Sequence, residues 1–172
     1  MFLFLKCGRC CCRIIQRIRE KIDAYFLERS IANINQGKGA LYPHVEEIFS
    51  YLRDNNYSIF IASNGLIEYL KAIVSFYQLD RWVTETFSIQ QIHTLNKGDL
   101  VNTILKKYGI QQAAVDINAA KDNGLMAIGC HFDFAQEEEL AQADFVIHDL
   151  IELKTLLPEL KKGDSVLFNR QT

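Results

Sequence analysis

Ser63, Asn64 and Gly65 are the residues of this chain best suited to chemistry. They offer a hydroxyl, an amide and a backbone with no side chain in the way. They close an apolar run, Tyr57 to Ala62, and a helical stretch, Leu66 to Phe76, follows them. In open parallel sheets ligands bind just beyond the carboxyl ends of the strands, and a helix N-terminus there aims N–H groups at an anion. The trio in that place suits an anion. The plainer alternative is a capped strand–helix turn, because Ser and Asn are common N-caps. A second group, Cys7, Cys10, Cys11 and Cys12, invites a metal reading. Zinc takes four ligands, usually as two separated pairs. No second pair follows and adjacent cysteines converge poorly, so the cluster is read as an unusual terminus ahead of a metal site or an S-acylation site.

The elements that position these residues follow from hydrophobic periodicity. Tyr57–Ala62 is β-branched and aromatic, follows the turn Asp54-Asn55-Asn56, and does not alternate, which suits a parallel strand covered on both faces. Upstream, Arg13 to Ile34 repeats apolar residues at helical spacing and predicts an amphipathic helix seeking a partner surface; Gln36-Gly37-Lys38-Gly39 ends it. Pro43 opens a helix over His44–Arg53. Downstream come a short strand and loop in Arg81–Ile92, a helix over Asp99–Tyr108, and a brief strand within Gln111–Val115. The series continues with a helix over Ile117–Asn123, a strand over Leu125–Gly129 and a helix over Phe134–Ala141. A strand over Phe145–Ile147 and a helix over Leu150–Leu157, ending near Pro158, complete it. Strands alternating with helices predict an α/β domain with a mostly parallel sheet. Three segments result: an N-terminal piece, 1–38; a core, 39–160; and a polar tail, 161–172.

Composition narrows the classes. The chain has 172 residues, 49% hydrophobic and 23% charged, as expected of one globular domain rather than a disordered chain. A net charge of −2 gives no case for nucleic-acid or membrane binding. The cysteine layout is not a secreted disulfide framework, which predicts a cytoplasmic location. Met1–Leu5 is apolar but too short for a membrane span or a signal-peptide core.

Three features now fall in a specific order. A strand ends in Ser63-Asn64-Gly65, Lys97 precedes a helix some thirty residues on, and a strand leads to Asp116 in DINAAKDNG, which runs into LMAIGC. This order resembles the haloacid dehalogenase (HAD) superfamily, in its phosphoglycolate-phosphatase-like branch. ALYPHVEEIFSYLRDNNYSIFIASNG is similar to that branch's entry helix and second motif. DINAAKDNGLMAIGC and ADFVIHDLIEL are similar to its fourth motif and C-terminal end. The resemblance covers about Gly39 to Leu157.

The resemblance implies a HAD-like Rossmannoid three-layer sandwich and a hydrolase of small phosphate monoesters that works through a covalent aspartyl-phosphate with Mg²⁺. It implies that Ser63 hydrogen-bonds a phosphate oxygen, that Asn64 and Gly65 shape the cradle, and that Lys97 pairs with the phosphate and the nucleophile. It also implies a small phosphorylated metabolite as ligand. The alternative roles are milder: Ser63 as a cap, Lys97 as an exposed lysine, Asp116 as an N-cap.

The departures from the pattern are as informative. The family's Asp-x-Asp-Gly-Thr first motif is absent, and Phe2-Leu3-Phe4-Leu5-Lys6-Cys7 stands where it belongs. Ala113-Ala114-Val115 joins directly to Asp116-Ile117, without the Gly-Asp that leads the fourth motif. Asp116 matches the second acid of that motif, so Mg²⁺ would depend on Asp116 or Asp122. Most of the cap domain is missing, leaving Arg13–Asn35 as a possible remnant. The chain thus reads as a truncated, catalytically impaired HAD-like hydrolase. The alternative is a non-catalytic fragment or interaction module that retains phosphate affinity and docks on a partner, or on itself, through Arg13–Ile34.

Overall fold

The computed structural model describes residues 9–92, 96–115, 117–132 and 135–167. Helices α1 (Arg9–Asn35) and α2 (Val45–Asp54) lead into strand β1 (Ile59–Ser63), helix α3 (Ile67–Phe76) and strand β2 (Val83–Ser88). Helix α4 (Lys97–Tyr108), β3 (Ala114–Val115), α5 (Ile117–Asn123) and β4 (Met126–Cys130) follow. Helix α6 (Glu137–Leu140), β5 (Phe145–Ile147) and α7 (Leu153–Leu167) complete the order. Every described strand pairing is parallel, as the alternation of strands and helices predicts.

The strands form two sheets rather than one. β1 pairs with β2, from Ile59 opposite Val83 to Ser63 opposite Ser88, with a register shift after Ile59. β3, β4 and β5 form the second sheet in that order. A single mostly parallel sheet of the kind predicted would set Tyr57–Ala62, Ala113–Val115 and Leu125–Gly129 as neighbours. The last two are, but β1 has β2 as its partner and does not pair with β3. The outer edges of β1 and β3 therefore have no strand partner among the described residues. Phe2–Leu5, which stands where the family's first strand belongs, lies outside the described residues, as do Lys6 and Cys7.

Helices tie the two sheets together. α4 packs on β1 and on α5, and Asn123 of α5 donates its side-chain amide to the Gly98 carbonyl at 2.9 Å. α2 packs on β1 and on α7, with Lys154 of α7 paired to Glu47 at 2.6 Å. His44, just before α2, bonds Asp149 at 2.7 Å. The central core is Phe87, Leu100 and Ile104, with Phe60, Ala62, Ile89 and Ile92 packed around it. Burying apolar side chains of this size is the dominant favourable contribution to folding.

Two helix boundaries differ from the expected ones for physical reasons. α7 continues through Pro158 instead of stopping there. Proline has no N–H to give the carbonyl four residues back, and here the Tyr51 hydroxyl donates to that carbonyl, Lys154 O, at 3.3 Å. A tertiary contact thus replaces the missing helical bond, and the 161–172 tail is helical as far as Leu167. The helix expected over Phe134–Ala141 is only the single turn of α6, in keeping with the solvated acidic run Glu137-Glu138-Glu139. No described helix is long and apolar enough to cross a membrane.

Candidate functional site

The carboxyl ends of β1 and β2 bring Ser63, Asn64 and Gly65 together with Ser88, Gln90 and Gln91. Ser63 and Ser88 are register partners on adjacent strands. Ser63 Oγ accepts from the Gly65 N–H at 3.0 Å, which is the turn-capping role. A hydroxyl has one proton to donate beside its acceptor sites, so this bond leaves the Ser63 O–H available for a ligand oxygen. Gly65 is close-set: a Cβ there would lie 3.3 Å from Ser63 Oγ and 3.6 Å from the Tyr69 ring.

Ser88 braces the turn from beneath. It is completely buried. Its hydroxyl donates to the Gly65 carbonyl at 2.6 Å and accepts from the Gln90 N–H at 3.2 Å. Its own N–H is received by the Gln91 side chain at 2.7 Å. The Gln90 side chain in turn accepts the Ile67 N–H at 3.0 Å. This last contact changes the expected picture of α3. A first-turn amide predicted to be open toward an anion already has a side-chain partner, supplied from 23 residues away.

Lys97 lies in the first turn of α4, one step inside the helix rather than before it. Asn96 caps that turn, its side chain accepting the Gly98 N–H at 2.7 Å. Phe60, near the start of β1, stacks on Tyr108 at the end of α4, with ring centroids 4.6 Å apart. Leu100 in the second turn belongs to the core cluster against which Ala62, near the end of β1, packs. α4 also packs on the turn over 89–92 that follows β2, and Lys97, half-buried, is in its first turn.

The two aspartates divide differently. Asp116 lies outside the described residues. Asp122, in the last turn of α5, sits against α4: a Cβ on Gly98 would lie 2.3 Å from its Oδ2 and 2.8 Å from its Cβ. Only glycine leaves room for that carboxylate beside the Lys97 turn. Among the described residues no group of three or more His, Cys, Asp or Glu side chains is placed to hold a metal ion. The described donor set therefore does not fit Mg²⁺, and no chemical step here is routed through it. Cys130, the end of β4, has its thiol pKa pushed up by burial, which makes it a poor nucleophile.

Sequence reasoning missed Ser88, Gln90 and Gln91. A serine ending an apolar strand was the available signal for Ser88, the same one that marks Ser63. Nothing local ties Gln90 to α3, because that bond depends on the two strand ends lying side by side.

No protein-family model matches the sequence, and no curated protein matches it. The fold has clear relatives among solved structures. CbbY from Rhodobacter sphaeroides, in complex with phosphate, superposes with a TM-score of 0.68 over 78% of this chain and 65% of its own, at 19% identity. A mutant of the same protein has been solved with xylulose-(1,5)-bisphosphate. A protein from Haemophilus somnus, predicted to be a phosphoglycolate phosphatase, matches with a TM-score of 0.61 at 17% identity, over 69% of this chain and 57% of its own. A HAD phosphatase from Thermococcus onnurineus gives 0.61 at 19% identity, covering 68% and 58%. The chain thus spans 65%, 57% and 58% of these three proteins. It has the HAD-like phosphatase fold.

Proposed function

We propose that this chain is a HAD-type hydrolase of phosphate monoesters in architecture that binds the phosphate of a small phosphorylated metabolite but turns it over poorly. What supports the reading is the strand-end turn Ser63-Asn64-Gly65, braced by Ser88, with Lys97 in the first turn of α4, a helix that packs on β1. In this reading the Ser63 hydroxyl donates to a phosphate oxygen, Asn64 and Gly65 form the wall of the cradle, and the Lys97 ammonium neutralises charge. Positive charge and fixed donors directed at phosphate oxygens are what phosphoryl transfer requires of a protein.

Impaired turnover follows from the residues of the chain as given. No Asp-x-Asp pair precedes Ser63, so the carboxylates that would form an aspartyl-phosphate and protonate the leaving group have no counterpart there. Members of such a unit are not independent, and loss of one already costs orders of magnitude in rate. Mg²⁺ would supply charge neutralisation if Asp116 or Asp122 took part in holding it, and the position of Asp122 against Gly98 argues for a packing role instead. The test is hydrolysis of a generic phosphate ester by the purified chain with Mg²⁺. We expect turnover no faster than that of a Ser63→Ala, Lys97→Ala double variant. Brisk turnover abolished by a chelator would overturn the reading.

A second reading, a non-catalytic interaction module, is favoured by one observation. The described apolar side chains Ile18, Ile22, Tyr25 and Phe26 of α1 are exposed.

A further inference from the structure

We infer that the outer face of α1 is a self-association surface on which a second copy of this chain lies antiparallel. α1 carries two apolar faces. Leu27, Ile31 and Ile34 are half-buried on a helix that packs on α3. At 3.6 residues per turn, Ile18, Ile22 and Tyr25 lie about half a turn around the helix from them. These three recur at intervals of four and three residues, the spacing of a coiled-coil seam. They are 52%, 47% and 60% exposed, and Phe26 beside them is 63% exposed. Tyr25 and Phe26 set their rings edge to face at 6.2 Å, so the end of the seam is a broad aromatic surface. Contiguous apolar exposure of this kind marks an interaction surface rather than ordinary surface scatter.

The charges beside the seam select the occupant. Lys21 precedes Ile22, and Glu28 lies seven residues later, two turns along on the same side of the helix. In an antiparallel pair centred between Ile22 and Tyr25, each Ile22 meets the partner's Tyr25. Each Lys21 then lies across from the partner's Glu28, twice by symmetry. A parallel pair would instead set Lys21 beside the partner's Phe26, the flanking position it meets in that orientation, and give it no carboxylate. A two-fold axis thus makes the same seam complementary to itself in both shape and charge. The surface is independent of the phosphate cradle, so the inference stands or falls apart from the proposed function.

The test is sedimentation equilibrium of the full chain across a concentration series. The wild type is expected to dimerise, and Ile22→Lys to be monomeric with unchanged circular dichroism, since Ile22 lies outside the core. Lys21→Glu and Glu28→Lys should each weaken the dimer about fivefold, the effect of two exposed ion pairs made repulsive. The combined Lys21→Glu, Glu28→Lys variant should restore wild-type affinity. A wild type that stays monomeric up to about 1 mM, a dimer indifferent to Ile22→Lys, or a double variant no better than the singles would overturn the inference. So would binding of this face to anionic vesicles by a protein that remains monomeric in solution.

Discussion

Removing one buried hydroxyl should loosen the whole strand-end turn. Ser88→Ala deletes the donor to the Gly65 carbonyl at 2.6 Å and the acceptor of the Gln90 N–H at 3.2 Å, at a position with no solvent access. A buried polar group left without a partner costs about 1–3 kcal/mol. Gln90 is exposed, so its N–H can recover a bond to water, whereas the half-buried Gly65 carbonyl recovers less. The expected loss is about 2–3 kcal/mol, most of it from the carbonyl. In a chain of this size that lowers the melting temperature by roughly 5–10 °C. Urea unfolding is the assay, read as a shift in midpoint at constant slope. Ser63→Ala is the internal comparison: it removes one bond, to the Gly65 N–H, and should cost only about 0.5–1.5 kcal/mol. If Ser88→Ala costs less than Ser63→Ala, the account of Ser88 as the brace of the turn is wrong.

Tyr51→Phe removes the hydroxyl that serves the Lys154 carbonyl beneath Pro158, and should cost about 1 kcal/mol by the same urea assay. The loss should vanish in a Pro158→Ala background, where the substituted residue restores the helical N–H. Gly98→Ala gains about 1 kcal/mol of helix propensity, but its Cβ would lie 2.8 Å from the Cβ of Asp122. A net destabilisation of about 1–3 kcal/mol is therefore expected, and a stabilised variant would show that Asp122 is not held there. Asp144 is held below the ordinary aspartate range by the Ala127 amide and then by Lys121; Asp149 is held down by the Ile151 amide and then by His44. Lowered folded-state values mean that both contribute stability above the unfolded value of about 3.9, lost as pH falls through the folded values below it. Melting temperature against pH should show that acid slope, and Asp144→Asn with Asp149→Asn should flatten it.

Local signals carried much of this architecture, and tertiary ones the remainder. The β-branched run ending in Ser63-Asn64-Gly65, the Gly109 stop after Tyr108 and the DINAAKDNG helix were legible because each is set by neighbours in sequence. Gly109 indeed closes α4 with a left-handed φ of 64°, a conformation glycine adopts at no steric cost. The division of strands into two sheets was not legible, because partner choice depends on which strand is available rather than on a strand's own residues. Pro158 reads as a helix stop until a tyrosine 107 positions earlier is known to serve the orphaned carbonyl. The same holds at the site. Ser63 and Lys97 are candidates by motif order alone, whereas Ser88 and Gln90 act through strands brought side by side in space.

The central claim, that Ser63 and Lys97 together hold a phosphate, is most directly tested by calorimetric titration of inorganic phosphate into the full chain. The wild type should bind. A charge-assisted contact of about 1.5–3 kcal/mol sets the scale, so Lys97→Ala should weaken binding about ten- to a hundredfold. Ser63→Ala should weaken it about three- to tenfold, the effect of one neutral hydrogen bond. Asp122→Asn should leave it unchanged or tighter. No binding by the wild type, or binding that ignores both Ser63→Ala and Lys97→Ala, would contradict the account.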